Sequence, residues 1–306
     1  MKGSKISWTG GTWNPWIGCT KCSSECDHCY IDGPSMGFGK RDPWADIYIT
    51  RTWNDPYTWE KELKDTNHAK RVFTCSLSDF FHAKVDGRRI GSMSMSMHRR
   101  AAQRWACIEK FGDPERRWWE CTWRDAAWQV IKETPHITYQ ILTKRPERIL
   151  NHLPKDWGAG YPNVWLGTSV GCNRTLSKID SLRKVPAALR FISAEPLLED
   201  ISEKINLDGI GWLIVGGESG RGEEYRYDPA DKRKRESGRR TMDLGWAYSL
   251  YMKANDAGIP FFFKQTTGAR SGEGADRLTG KEIHEYPNPP QGLIWMPEPE
   301  LAVIGQ

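Results

Sequence analysis

The sequence predicts an α/β fold, a partial or full parallel (β/α) barrel that carries inserted segments. Short apolar runs alternate with helix-forming segments along most of the 306 residues, and this alternation is typical of parallel α/β architectures. The runs are unbroken rather than alternating, as expected of strands that are buried on both faces. They lie at residues 71–75, 137–142, 163–167, 189–193, 212–215 and 260–263.

Polar residues follow these strands where each one ends. Because the C-terminal strand ends of a parallel barrel form its active-site face, the pattern predicts one polar site. Strands also end in polar residues simply because they reach solvent, so each residue alone has that plainer interpretation. The residues are Ser76, Ser78 and Asp79; Thr143, Lys144 and Arg145; Thr168 and Ser169; Glu195; Gly216, Gly217 and Glu218; and Lys264 and Gln265.

Helices are predicted between the strands, at 121–133, 146–152, 174–184 and 243–257, the last ending before Gly258. Two segments look inserted into this repeat, at about 83–120 and 221–240. The first contains a Ser/Met alternation, arginine pairs and the pair Trp118-Trp119, and the second contains a charged run at 231–236. We therefore expect residues 1–270 to form one barrel domain and residues 271–306 to form a tail packed on it.

Composition excludes a membrane protein and favours a polyanionic partner. No apolar stretch is long enough to span a bilayer, and the basic N-terminus lacks the apolar run of a secretory signal, so we expect a cytoplasmic protein. The net charge is +5 and there are 16 tryptophans. Exposed aromatic rings can stack on bases while Arg and Lys hold phosphates, which suggests a nucleic acid.

Four of the eight cysteines, Cys19, Cys22, Cys26 and Cys29, fall within eleven residues, which in a reducing compartment indicates a metal or cluster site. Three thiolates can hold three irons of a 4Fe-4S cluster and leave the fourth iron open for chemistry. Radical S-adenosylmethionine (radical SAM) enzymes use a Cys-x3-Cys-x2-Cys spacing with an adjacent aromatic residue. The segment from Cys22 to Cys29, followed by Tyr30, satisfies it, and Cys19-x6-Cys26-x2-Cys29 offers a second set of three ligands.

Zinc is the main rival for this loop. Four cysteines, or three with His28, could close a tetrahedral structural site, and the protein would then bind nucleic acid without catalysis. Zinc ribbons usually bring two separated cysteine pairs, however, whereas all four cysteines here lie in one loop.

The sequence resembles a phage and bacterial three-cysteine-motif family of unknown function, the bacteriophage Gp37 type, which has radical SAM features. The resemblance covers about residues 6–268. It is carried, in order, by Thr12-Trp13-Asn14-Pro15-Trp16, Gly18-Cys19-Thr20-Lys21, Cys26-Asp27-His28-Cys29-Tyr30, Ser76-Leu77-Ser78-Asp79-Phe80-Phe81-His82, Leu142-Thr143-Lys144-Arg145-Pro146, Leu166-Gly167-Thr168-Ser169-Val170, Ser193-Ala194-Glu195-Pro196, Val215-Gly216-Gly217-Glu218-Ser219 and Phe263-Lys264-Gln265.

The resemblance implies a barrel of radical SAM type with a 4Fe-4S cluster, S-adenosylmethionine and an external electron donor. The family spacing is Cys-x6-Cys-x2-Cys, which implies Cys19, Cys26 and Cys29 as ligands. An aliphatic residue is usual at the position of Cys22. Cys22 is therefore either a neutral replacement beside the cluster or an alternative to Cys19.

By analogy with radical SAM barrels, the strand ends supply the remaining site residues. Lys144 is a candidate for a carboxylate contact, Glu195 for a substrate contact, and Glu218 for the substrate or a ribose hydroxyl. Each has a plainer interpretation as part of an ion pair that braces the barrel mouth. The expected cofactor-binding residues are Tyr30, Ser76, Ser78, Asp79, Thr168, Ser169, Gly216 and Gly217.

The substrate suggested by the phage resemblance, the charge and the basic and aromatic insertion is a nucleotide, or a modified base in phage DNA. A partner protein that is needed for turnover is a further expectation. The alternative for the insertion is a solvated charged face with core tryptophans.

Overall fold

The computed structural model describes residues 4, 6–32, 38, 41–92, 121–220, 223–226, 228 and 238–297. The strands are β1 (Thr12–Trp13), β2 (Trp16–Ile17), β3 (Tyr48–Ile49), β4 (His68–Thr74), β5 (Ile137–Thr143), β6 (Val164–Ser169), β7 (Leu189–Ala194), β8 (Trp212–Gly216), β9 (Glu224–Tyr225), β10 (Arg239–Arg240), β11 (Phe261–Gln265) and β12 (Ile294–Trp295). The main sheet has the strand order β1-β4-β5-β6-β7-β8-β11, and every neighbouring pair is parallel.

The predicted fold class is confirmed, and the barrel is partial. Within the described ranges no strand pairs β1 with β11, so the sheet stays open between its two outer strands. All six predicted strands are present, as β4 to β8 and β11. Two small sheets lie beside it, formed by β2 with β3 and by β9 with β10.

The described helices are α1 (Asp55–Leu63), α2 (Trp123–Glu133), α3 (Ser177–Arg183) and α4 (Leu244–Asp256). The predicted helix at 146–152 is wrong, because the chain there forms two 3₁₀ turns, Pro146–Arg148 and Leu150–His152. Neither turn has a side-chain cap, and short uncapped connectors often take this tighter form. None of the helices in the described ranges has both the length and the apolar character needed to cross a bilayer.

Side chains that point into the barrel change from large aromatic to small or polar along β6 and β7. On β6 the inward positions are Trp165, Gly167 and Ser169, and on β7 they include Phe191 and then Ser193. A Cβ at Gly167 would overlap the ring of Phe191, so the missing side chain makes room for that ring. The aromatic residues fill the N-terminal end of the barrel and leave its C-terminal end open.

The C-terminal segment covers the filled end of the barrel. The Trp212 indole donates a hydrogen bond to the carbonyl of Glu285 (2.9 Å), the Tyr286 hydroxyl donates to the carbonyl of Ser7 (3.0 Å), and β12 pairs with the start of β4. An apolar cluster therefore closes the bottom of the barrel, consisting of Trp8, Phe73, Trp165, Phe191, Trp212, Ile214 and Phe262.

Nine of the 16 tryptophans are buried and so are not available to stack on bases. Trp118 and Trp119 lie outside the described residues, as do most of the first inserted segment (93–120) and the charged run at 231–236. The described remainder of the two insertions consists of residues 83–92, β9, β10 and a few residues beside these strands.

Replacing Trp212 with Ala should lower the free energy of unfolding by about 3 to 5 kcal/mol, because it empties the centre of the aromatic cluster. Trp212 is fully buried and contacts the rings of Trp8, Trp165 and Phe191. Urea unfolding measures the loss. Leu244→Ala, at a partly exposed position at the start of α4, should cost less than about 1 kcal/mol. Equal losses in the two variants would contradict this account of the core.

Candidate functional site

A cavity of about 590 Å³ opens at the C-terminal ends of the strands. It is bounded by the strand ends and by residues 18–30, which we call the cysteine loop. Most of the predicted site residues meet at this cavity, although Cys22, Thr168 and Gly216 do not line it. Those that do are Cys19, Cys26, Cys29, Tyr30, Ser76, Ser78, Asp79, Lys144, Ser169, Glu195, Gly217 and Glu218.

The cysteine loop directs three of its four thiols to the cavity. Cys19, Cys26 and Cys29 line it, whereas Cys22 is exposed, with its Sγ 4.0 Å from that of Cys26. A hydrogen bond from Cys22 lowers the pKa of Cys26 to about 5, and Lys144 adds to this effect, although burial opposes it. Cys26 is therefore a thiolate at neutral pH, the form that binds metals.

The start of the loop is fixed to the end of β4. Gly18 has a φ of +105°, and a Cβ there would overlap the carbonyl oxygen of Asp46, so no other residue fits without strain. The amide of Gly18 donates to the carbonyl of Leu77 (2.9 Å), and the Ser78 hydroxyl donates to the carbonyl of Gly18 (2.6 Å). Ser78 thus holds the residue that precedes Cys19.

Asp79 is a brace at the centre of the strand ends. Its carboxylate accepts hydrogen bonds from the Thr143 hydroxyl (2.8 Å), the Lys144 amide (3.1 Å) and the Arg145 guanidinium (3.0 Å). Arg145 also donates to the carbonyl of Thr20 (2.7 Å) and lies 3.8 Å from the Cys19 sulfur. The oxygens of Asp79, which was predicted to contact the cofactor, are therefore already bonded within the protein, where they pair with Arg145.

Glu25 anchors the middle of the cysteine loop. Its buried carboxylate accepts hydrogen bonds from the Gly171 amide (2.8 Å) and the Thr175 hydroxyl (2.6 Å), and Lys178 lies 3.6 Å away. Burial raises the pKa of Glu25, but Lys178 and hydrogen bonds with Ser23 and Thr175 outweigh it and bring the pKa to about 2. The carboxylate is thus ionised, and its Oε1 holds the loop beside the end of β6 through both hydrogen bonds.

Glu218 and Arg240 form a second anchor. The Glu218 carboxylate pairs with the Arg240 guanidinium through several hydrogen bonds and lies 3.0 Å from Nδ1 of His28. Arg240 donates in turn to the carbonyl of Ser24 (2.7 Å). Burial raises the pKa of Glu218, but His28 and Arg240 lower it by more, so the pKa lies below its ordinary value. Glu218 therefore ties the cysteine loop to β8 and β10.

Glu195 and Lys264 form an ion pair on the cavity wall. They come from β7 and β11, which lie on either side of β8, and they meet over Gly216. A Cβ at Gly216 would lie within 3.5 Å of carbons of both side chains. The absence of a side chain at Gly216 therefore leaves space in which Glu195 and Lys264 can pair. Gly216 itself does not line the cavity.

Lys144 is the cavity cation that has no carboxylate bonded to it. Its amide is bonded to Asp79, and within the described part of the chain its ammonium makes no hydrogen bond. Burial lowers the pKa of Lys144, but the thiols of Cys26 and Cys29 raise it by more. Lys144 therefore remains a cation that faces the three cysteines.

Thr168 and Ser169 point to opposite faces of β6, as successive residues of a strand do. The Thr168 hydroxyl donates to the carbonyl of Thr143 (3.0 Å) on the outer face, whereas Ser169 lines the cavity. The sequence at a strand end gives no indication of which of two successive residues faces inward, so both residues were predicted to bind the cofactor.

Sequence reasoning assigned no role to four side chains that organise the site: Glu25, Arg145, Arg240 and Lys264. Two of them were visible as polar residues at strand ends, but their partners lie 66 to 69 residues away. Arg240 follows a charged segment, and only its contact with Glu218 distinguishes it from the surface arginines beside it.

The donor set of the cavity fits an iron–sulfur cluster chemically. Three thiols of one loop face one space, with cations from Lys144 and Arg145 beside them to balance thiolate charge. Among the described residues, no three His, Cys, Asp or Glu side chains are grouped closely enough to hold a single metal ion. Thiolates that bind separate irons of one cluster stand farther apart than the ligands of one ion.

Comparison with known proteins identifies a family. The model of a family of proteins of unknown function (DUF5131) matches residues 3–119 and 112–287. No curated protein matches the chain in sequence. Among solved structures, a point mutant of spore photoproduct lyase is similar at a TM-score of 0.40 and 12% identity. That match covers 70% of this chain and 57% of the lyase, so the chain spans a little over half of its length.

Protonation of His82 should destabilise the fold below neutral pH. Burial and Arg145 lower the pKa of His82 to about 4, against about 6.5 in the unfolded chain. The unfolded state therefore binds the proton at a higher pH than the folded state does. The contribution of neutral His82 to the free energy of unfolding is fully present above about pH 6.5 and is lost as the pH falls toward 4. Between pH 7 and pH 5 this loss should be about 2 kcal/mol.

Urea unfolding of the native protein and of His82→Gln at both pH values measures that loss. The variant carries no titrating ring, so its free energy of unfolding should fall by about 2 kcal/mol less than that of the native protein over the same interval. The same pH dependence in both proteins would show that His82 is not the group responsible.

Proposed function

Because the chain belongs to the DUF5131 family of proteins of unknown function, we propose its activity from the site itself: it is a radical SAM enzyme. Cys19, Cys26 and Cys29 would hold a 4Fe-4S cluster. When bound, the cluster would supply the electron that splits S-adenosylmethionine to a 5′-deoxyadenosyl radical. The observation that carries the proposal is that three thiols of one loop line a cavity at the C-terminal ends of parallel strands.

The chain's own contribution is to hold the thiols and to receive the cofactor. Glu25 and Arg240 fix the loop from two sides, and Arg145, which lies 3.8 Å from the Cys19 sulfur, would neutralise the charge of that thiolate once it binds iron. The Lys144 ammonium, which has no carboxylate bonded to it, would attract the carboxylate of S-adenosylmethionine. Tyr30 and Ser76 line the same cavity, where the Tyr30 hydroxyl donates to the carbonyl of Ser76 and the Ser76 hydroxyl accepts from the Asn14 amide (3.0 Å).

The barrel also restricts access to the reaction. Aromatic side chains fill its N-terminal end, so water and substrate do not enter the cavity from that end. Exclusion of water protects a reactive intermediate from side reactions. This division of the barrel into a dry base and a polar mouth supports chemistry that must be shielded.

We further propose a nucleotide, or a modified base in phage DNA, as the substrate, and an external electron donor as a partner. The net charge of +5 supports a polyanionic substrate. A partner protein is the further partner that turnover of the substrate would need, and cofactor cleavage by the isolated chain is measured without it. The rival function, structural zinc in a nucleic-acid-binding protein, has one observation in its favour, the 4.0 Å between the Cys22 and Cys26 sulfurs.

The direct test of this function is cofactor cleavage. The protein, reconstituted without oxygen with iron and sulfide, should absorb near 400 nm and bind about four irons per chain. It should release 5′-deoxyadenosine when a reductant and S-adenosylmethionine are added, as measured by chromatography, and Cys26→Ala should release none. A colourless protein with one tightly bound zinc would favour the rival function instead.

Cys19 and Cys22 give opposite expectations for cluster binding. Cys19→Ala should lose most of the bound iron and the absorption near 400 nm, because Cys19 lines the cavity with the other two thiols. Cys22→Ala is the matched control and should keep both, since Cys22 faces solvent. Iron analysis of both variants measures this. Loss of iron in Cys22→Ala with retention in Cys19→Ala would move the third ligand to Cys22.

A further inference from the structure

Four polar side chains on the cavity wall have no part in holding the cysteine loop. They are Ser169 on β6, Ser193 and Glu195 at the end of β7, and Lys264 on β11, and together we call them the polar wall. All four line the cavity. Ser169 and Ser193 are register partners on adjacent parallel strands, and Glu195 is the next residue of β7 on the same face.

Ser169 has an unmet hydrogen-bonding requirement. The residue is 1% exposed, and its hydroxyl has no hydrogen-bond partner within the described part of the chain. A buried hydroxyl without a partner is costly, and native proteins rarely leave one in that state unless something else binds it. Its place on the cavity wall indicates that a ligand supplies the missing partner.

Both partners of the Glu195–Lys264 pair can make further hydrogen bonds. One oxygen of Glu195 contacts the Lys264 ammonium, and the described residues donate nothing to the other oxygen. The ammonium carries three donors and uses one of them on Glu195. Because each side chain fixes the other, the wall presents an acceptor and donors side by side at a constant spacing.

Apolar residues continue the cavity on the far side of β6. Phe73 from β4 and Leu142 from β5 line it together with Trp8, whose ring centroid lies 4.5 Å from that of Phe73. Flat apolar surfaces of this kind favour an aromatic ring over a flexible charged chain. The cavity thus combines a surface for a ring with a wall for its polar edge.

We propose that the polar wall is a substrate subsite that recognises a pyrimidine-type base through an edge with neighbouring N–H and C=O groups. The ring N–H donates to Glu195, the carbonyl oxygen accepts from Lys264, and Ser169 completes the contact with a second polar atom of the ring. Trp8 and Phe73 border the ring on its apolar side. A role for this subsite in a reaction rests on the proposed function, whereas binding of the base to it does not.

Calorimetric titration of the isolated protein with uridine tests the subsite, because binding needs neither reductant nor S-adenosylmethionine. We expect uridine to bind at least tenfold more tightly than uridine methylated at ring nitrogen N3, which has lost the N–H. Ser169→Ala should weaken uridine binding several-fold, and Glu195→Ala more than tenfold. Thr168→Val is the matched control, since its side chain faces the outside of the barrel, and it should bind as the native protein does.

The comparison of the two nucleosides uses only the native protein, so it gives a result even if a variant does not fold. Equal affinity for uridine and its methylated form would overturn the proposal, as would the lack of any uridine binding by protein that contains iron. Binding of methionine in place of uridine, with its affinity lost in Glu195→Ala, would also overturn it, because the wall would then recognise a zwitterion. Uridine binding by protein that takes up no iron would support the subsite and count against the proposed function.

Discussion

Buried charged side chains that bond the cysteine loop to the strand ends and to α3 determine the geometry of the whole site. The loop has only short 3₁₀ turns of its own, so its thiols are placed by contacts with other elements. Glu25, Glu218 and Arg145 supply those contacts from three sides of the cavity. Burying an unpaired charge is expensive, whereas a fully paired and hydrogen-bonded one is tolerated. Each of the three side chains lies beside an oppositely charged partner, Lys178, Arg240 or Asp79, which favours this one arrangement of the loop.

The barrel serves this arrangement by separating two environments. At the N-terminal end, large aromatic rings pack against one another and are covered by the C-terminal segment. At the other end, small residues such as Ser169, Ser193 and Gly216 leave space between the strands. The same seven strands thus provide a rigid base and a cavity whose walls carry charge. Three of the nine buried tryptophans lie in this base and six lie in a second core cluster, so core packing explains much of the tryptophan content that composition alone associated with a nucleic acid.

The strands and the cysteine loop were predictable because their signals are local. Unbroken apolar runs indicate buried parallel strands, and four cysteines in eleven residues indicate a metal or cluster site, without knowledge of any distant partner. The strand ends were predictable as a group, and their convergence on one cavity follows from parallel topology.

The individual roles depended on long-range contacts that no local pattern contains. Asp79 and Glu218 looked like ligand-binding carboxylates, yet both are bonded to arginines of other segments. Thr168 faces outward because the register of β6 turns Ser169 inward, and residues 146–152 form 3₁₀ turns where the sequence suggested a helix.

The central claim is that three thiols of the cysteine loop hold a cluster with one iron open to S-adenosylmethionine. Electron paramagnetic resonance of the reduced, reconstituted protein, recorded before and after adding S-adenosylmethionine, tests it most directly. A cluster held by Cys19, Cys26 and Cys29 alone should change its spectrum when the cofactor binds the open iron. A reduced cluster whose spectrum is unaffected by saturating S-adenosylmethionine would contradict the claim.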